Sequence, residues 1–117
     1  MRVLDPTRES VLGERIRVAD GVWSRFVGLL GSASLPPGDG LLLYPSQGVH
    51  TLGMLYSIDV VFLSHDFRVV GLRERLRPFW LTSLNWSAAC VLELPTGTIR
   101  NCRIEMGDQL VIEPAAG

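Results

Sequence analysis

The sequence predicts a mainly β fold, a β-sandwich or partly open barrel with one or two short helices. Three observations carry this prediction. Short apolar or alternating runs recur along the chain, 12 Gly and 7 Pro in 117 residues punctuate them, and only one stretch has clear helical periodicity. A chain of this length buries one core of ordinary size, so a single domain over residues 1–117 is expected.

In chain order, Glu14-Arg15-Ile16-Arg17-Val18 alternates polar and apolar after the turn-prone Gly13 and reads as an edge strand with one wet face. Asp20 offers an N-cap to residues 22–30. There Val22, Phe26, Leu29 and Leu30 share a helical face, and Gly31 suits the C-terminal cap. Pro36-Pro37-Gly38-Asp39-Gly40 excludes helix and sheet and marks a surface loop. Leu41 to Tyr44 is an apolar run stopped by Pro45, fit for a buried strand.

Ile58 to Leu63 is apolar on both faces apart from Asp59, which argues a central strand. Arg68 to Leu72 returns beside it through Ser64 to Phe67 as a hairpin. Pro78 limits strand pairing to the first half of Arg73 to Trp80. Ala88 to Leu94 is a further strand, with Glu93 on the face of Ala89 and Val91. Thr96-Gly97-Thr98 opens a helical turn that places Ile99, Cys102 and Met106 on one side. Gln109 to Glu113 is the last strand, with Leu110 and Ile112 on one face.

Composition narrows the function classes. Charged residues are 20% and the net charge is -1, so the chain belongs with soluble globular proteins and gains no electrostatic attraction to nucleic acid. The N-terminal residues lack the apolar run of a signal peptide, and no stretch approaches the roughly 20 apolar residues that span a bilayer. A cytoplasmic protein without membrane contact is the expectation. Cys90 and Cys102 match no metal or redox spacing and read as buried, reduced, unpaired thiols.

The ordered motifs resemble one family. The helix with its two glycines, Leu35-Pro36-Pro37-Gly38-Asp39-Gly40 with its leucine run, and His50-Thr51-Leu52-Gly53-Met54 leading into Ile58 to Leu63 come first. Arg68-Val69-Val70, Leu76-Arg77-Pro78, Val91 to Thr98, Gly107-Asp108 and Leu110 follow. Together they resemble the domain of unknown function 192, a bacterial and archaeal family, over about residues 15–113. The resemblance implies a compact, largely β domain and no established activity. Three departures stand out. Leu55-Tyr56-Ser57 replaces the family's basic residue and Phe-Pro, which removes a candidate anion-binding position. Asp66-Phe67 replaces an Asp-Gly turn and favours a wider loop, and Cys102 replaces Leu, as a packed thiol would.

The candidate site is built from polar residues in or beside apolar runs. His50 acts as base, acid or ligand near neutral pH, and a carboxylate such as Asp59 would orient it. The structural alternative is that Asp59 accepts backbone N–H groups while His50 packs with one nitrogen satisfied. Glu93 is a second acid in an apolar strand, and Arg77 is a loop cation beside Phe79 and Trp80. Phe79, Trp80 and Trp86 frame a polar loop that serves either as a partner surface or as a lid.

The ligand-site candidates are therefore His50, Thr51, Met54, Asp59, Arg77, Trp80 and Glu93. The reading they favour is binding of a small ligand or peptide without catalysis. The alternatives are a small hydrolase or transferase using His50 and Asp59, and a structural protein-interaction domain. His50, His65, Asp59, Asp66, Cys90 and Cys102 lack repeated ligand spacing, so no metal and no cofactor are expected, and the oligomeric state stays open.

Overall fold

The computed structural model describes residues 1–19, 35–48, 56–77 and 82–114. Strands β1 (Arg2–Asp5), β2 (Ser10–Gly13), β3 (Arg15–Ala19), β4 (Asp39–Leu43), β5 (Ile58–Leu63), β6 (Val69–Leu76) and β7 (Cys90–Pro95) come first. Helix α1 (Thr98–Cys102) and strand β8 (Val111–Glu113) follow. They form two sheets, β2-β1-β8 and β3-β4-β7-β5-β6, with β3 and β4 parallel and the other pairs antiparallel. The mainly β architecture is as the sequence predicts. The helix expected over residues 22–30 lies outside the described residues.

Alternation assigns the two faces of the larger sheet. Ile16, Leu42, Val61, Leu63, Cys90, Leu92 and Leu94 pack with Val3 and Leu12 of the smaller sheet, Ile99 of the helix, and Leu110, making the core between the sheets. The opposite face carries Leu41, Leu43, Ile58, Val60, Phe62, Leu76 and Val91, all at most 5% exposed, so β5 is buried on both sides. The central position belongs to β7, with β5 next to it. At the N-terminus, Met1 donates to the Ile16 carbonyl and accepts from the Ile16 N–H, tying the free edge of β3 to the smaller sheet.

Several local readings gain detail. The β5–β6 hairpin turns through Ser64 to Phe67 with Phe67 at φ 65°, a loop wider than a two-residue turn. Strands β1 and β2 have no counterpart in the sequence reading. The helix ends at Cys102 with Arg103 left-handed at φ 56°, so Met106 leaves its face and is 61% exposed, against expectation. Gln109 joins only an isolated bridge to Arg68, which shortens the last strand. Cys102 is half-buried rather than buried, while Cys90 is buried; both are free thiols. No helix among the described residues is long and apolar enough to cross a membrane.

Candidate functional site

Register decides what the two candidate acids can do. Strands β5 and β7 pair with Asp59 opposite Leu94 and Val60 opposite Glu93, one residue out of step. Side chains alternate between faces, so Asp59 points into the core between the sheets and Glu93 points to the opposite face. The two acids are adjacent in the sheet but do not converge.

Asp59 is fully buried and fully engaged. Its Oδ1 accepts the Arg75 N–H at 2.9 Å, and its Oδ2 accepts the N–H groups of Gly97 and Ile99 at 3.1 and 3.0 Å. Arg75 sits at φ 53° near the end of β6 and Gly97 at φ 95° before the helix, conformations that aim both amides at the carboxylate. One side chain thereby fixes the end of β6 and the β7–helix turn to β5, the arrangement of the structural alternative.

Glu93 is the reverse case. It is 2% exposed, and its Oε2 has no hydrogen-bond partner among the described residues. Its cross-strand neighbours are Leu41 on one side and Val60 on the other. Burial pushes its carboxyl up to about 8, so at neutral pH it is held mainly as the uncharged acid. Tyr56 packs against the apolar cluster of the same face, and its buried phenol oxygen also lacks a partner among the described residues. Burial and then the charge of Glu93 push the phenol up, against a smaller opposing effect of Arg17. In the sequence Tyr56 figures only as a departure from the family pattern, and the run beside it carries Asp59 rather than Glu93, so no local signal pairs it with Glu93.

Of the remaining candidates, Arg77 is exposed just beyond β6. His50, Thr51, Met54 and Trp80 lie outside the described residues, as does the expected meeting of His50 with Asp59. The aromatic loop contributes a groove of about 450 Å³ lined by Phe62, Leu72, Arg73, Thr82, Leu84 and Trp86. Trp86 is 75% exposed there, and the loop is pinned by Asn85, whose Nδ2 donates to the Val70 carbonyl at 3.1 Å.

A second acidic constellation, absent from the sequence reading, joins the ends of the smaller sheet. Arg8 donates to both oxygens of Asp108 at 3.1 Å and to Glu105 Oε2 at 2.7 Å, and Asp108 Oδ2 also accepts the Glu105 N–H. Asp5 faces Asp108 fully buried, and neither of its oxygens makes a well-formed hydrogen bond among the described residues. Burial and Asp108 push its carboxyl up to about 6, with only weak relief from Arg8, while Arg8 holds Asp108 down at about 2. One proton on Asp5 supplies the donor this pair lacks.

Comparison with known proteins agrees with the fold and adds no activity. The model of the family DUF192, described as an uncharacterized ACR, matches residues 5–112. A UPF0127 protein of Thermococcus sibiricus is 31% identical over 92% of this chain and 72% of its own length. One from Pyrococcus horikoshii is 30% identical over 81% and 84%. A crystal structure of a protein of unknown function from Novosphingobium aromaticivorans superposes with TM-score 0.80 at 19% identity, covering 96% of this chain and 84% of that one. Another, from Sinorhizobium meliloti and described as a candidate transcription regulator, superposes with TM-score 0.78 at 20% identity over 94% and 89%. At such identities the two structures speak to the fold alone.

Proposed function

This chain belongs to the domain of unknown function 192 family, and we propose that it works as a binding module, taking a small ligand without catalysis at Glu93 and Tyr56. The observation that carries the reading is a carboxyl that is 98% buried in an apolar sheet face with one oxygen unpartnered among the described residues, on the face where Tyr56 packs with a buried phenol oxygen likewise unpartnered among them. Two such groups cost stability that Leu and Phe would not, and a ligand's polar atoms are what would satisfy them. The hydrolase or transferase alternative draws less support, because Asp59 spends both oxygens on backbone donors. The interaction alternative keeps one observation in its favour, the exposed Trp86 and Leu84 beside the groove.

Ligand-observed NMR with a fragment library, run on the wild type and on Glu93→Leu, tests the binding reading. Fragments that bind the wild type should be lost from a variant that still folds. A set of hits unchanged by the substitution refutes the assignment to Glu93.

A further inference from the structure

Strand register lines up a row of residues on the outer face of the larger sheet. Arg17 of β3 stands opposite Leu41 of β4, Leu41 opposite Glu93 of β7, and Glu93 opposite Val60 of β5. Tyr56, two residues before β5, comes close enough to this row for both Glu93 and Arg17 to act on its phenol. Arg73 of β6 stands opposite Val60 and closes the row on its other side, two strands from Glu93 as Arg17 is. Arg15 and Asp39 lie two residues along β3 and β4 and pair with each other at 2.6 Å. Asp59 points to the opposite face.

The hydrogen-bonding character of the row follows from its chemistry. A guanidinium is a donor only, and a phenol and a protonated carboxyl each have one O–H to give. Glu93 keeps its proton through neutral pH, since burial pushes it up to about 8. The row therefore presents an excess of donors, with Arg17 adding positive charge at its edge. An ammonium group would have to strip the proton from Glu93 and approach an arginine. An uncharged amide brings a single acceptor oxygen and its own donors. A carboxylate brings two acceptor oxygens and one negative charge, which is the complement of what is there.

We propose that Glu93 and Tyr56, with Arg17 at the edge of the row, receive the carboxylate of a small organic acid, an assignment that rests on reading this face as a ligand site. Glu93 and Tyr56 donate their O–H groups to the two oxygens, and Arg17 supplies long-range attraction. No covalent step is involved.

Butyrate, butyramide and butylamine, probes of similar size with different head groups, test this when titrated into the full chain. The readouts are the Glu93 carboxyl carbon and the Tyr56 ring signals in NMR at pH 6.5 and pH 9. Butyrate should perturb both residues saturably and bind at least about tenfold more tightly than the other two, as one charge-assisted contact commonly provides. Its affinity should fall about tenfold from pH 6.5 to pH 9 as the protonated fraction of Glu93 is lost. Glu93→Gln keeps an N–H donor and should bind butyrate without that pH dependence, whereas Glu93→Leu should not bind it. Equal or tighter binding of the amide or the amine overturns the carboxylate assignment and leaves the site standing. If none of the three probes moves Glu93 or Tyr56, both readings are overturned.

Discussion

Replacing Glu93 by Gln should make the protein more stable at neutral pH, and the size of the gain follows from its surroundings. The folded chain holds the carboxyl at about 8, against an ordinary value of 4.5. Because the folded value is the higher one, the native state binds the proton more tightly. The favourable difference is fully present below 4.5 and is lost as pH rises towards 8. At pH 7 the unfolded chain has released its proton and the folded chain has not, a gap of roughly 2.5 pH units, or about 3 kcal/mol at 1.36 kcal/mol per unit. Glutamine buries a similar neutral group without this penalty, so Glu93→Gln should gain about 3 kcal/mol at pH 7 and almost nothing at pH 4. Urea denaturation of both proteins across pH 4 to 8 measures the difference directly, and subtracting the two curves removes every other titrating group. A variant equally or less stable at pH 7, with unchanged slope, would mean that Glu93 is ionised and compensated, and the argument for an uncharged donor at this site would fall with it.

Asp59→Asn should cost about 1 to 3 kcal/mol, because the amide offers one acceptor oxygen where three backbone N–H groups converge on two; a denaturation midpoint that stays put would remove Asp59 from its structural role. The raised Asp5 carboxyl stabilises the fold below about 3.8 and loses that contribution as pH rises through about 6. In a Glu93→Gln background the remaining decline over that window should vanish in Asp5→Asn, and persistence of the decline would place the proton elsewhere. Asp108 works in the other direction, its contribution present above about 3.8 and lost as pH falls through about 2. Thiol labelling of the native protein should modify half-buried Cys102 before buried Cys90, whose thiol is pushed up to about 11; the opposite order, read by mass spectrometry, would contradict the packing. An alanine at Gly71 would place its Cβ 2.6 Å from Asn85 Nδ2 and 2.8 Å from Phe62 Cδ2, so Gly71→Ala should destabilise by about 1 to 3 kcal/mol in the same denaturation assay.

The strands of the larger sheet were legible because their apolar periods are long enough to exceed the noise of single residues. Ile58 to Leu63 and Cys90 to Leu94 are apolar on both faces, the pattern of strands covered on both sides. Strands β1 and β2 were not legible. They are four residues each, and β1 buries the polar Asp5 while leaving Arg2 and Leu4 half-buried, so burial there opposes the usual polarity signal. Asp59 was readable as an acceptor of backbone donors, but not which ones. The donors come from 16 to 40 residues away in the chain, and only the fold brings them together. Glu93 stands out as a lone acid, while the unpartnered state of its Oε2 among the described residues and its sharing a face with Tyr56 depend on contacts that no local period encodes.

The contrast between Asp59 and Glu93 locates the functional question more sharply than either residue alone. Both are carboxyls on paired interior strands, both are buried, and a one-residue offset in register sends them to opposite faces. On one face the backbone turns two left-handed residues towards the acid and satisfies it; on the other the chain offers Leu41, Val60 and Val91, and the acid keeps its proton. A buried acid that serves the fold should look like Asp59, because selection for stability alone supplies partners or replaces the group. Glu93 has not been replaced, and its Oε2 has no partner among the described residues, so its neutralisation should raise stability where that of Asp59 lowers it. Opposite signs from the same Asp-to-Asn or Glu-to-Gln chemistry, on strands that share hydrogen bonds, would assign one acid to holding the sheet together and the other to what the sheet binds.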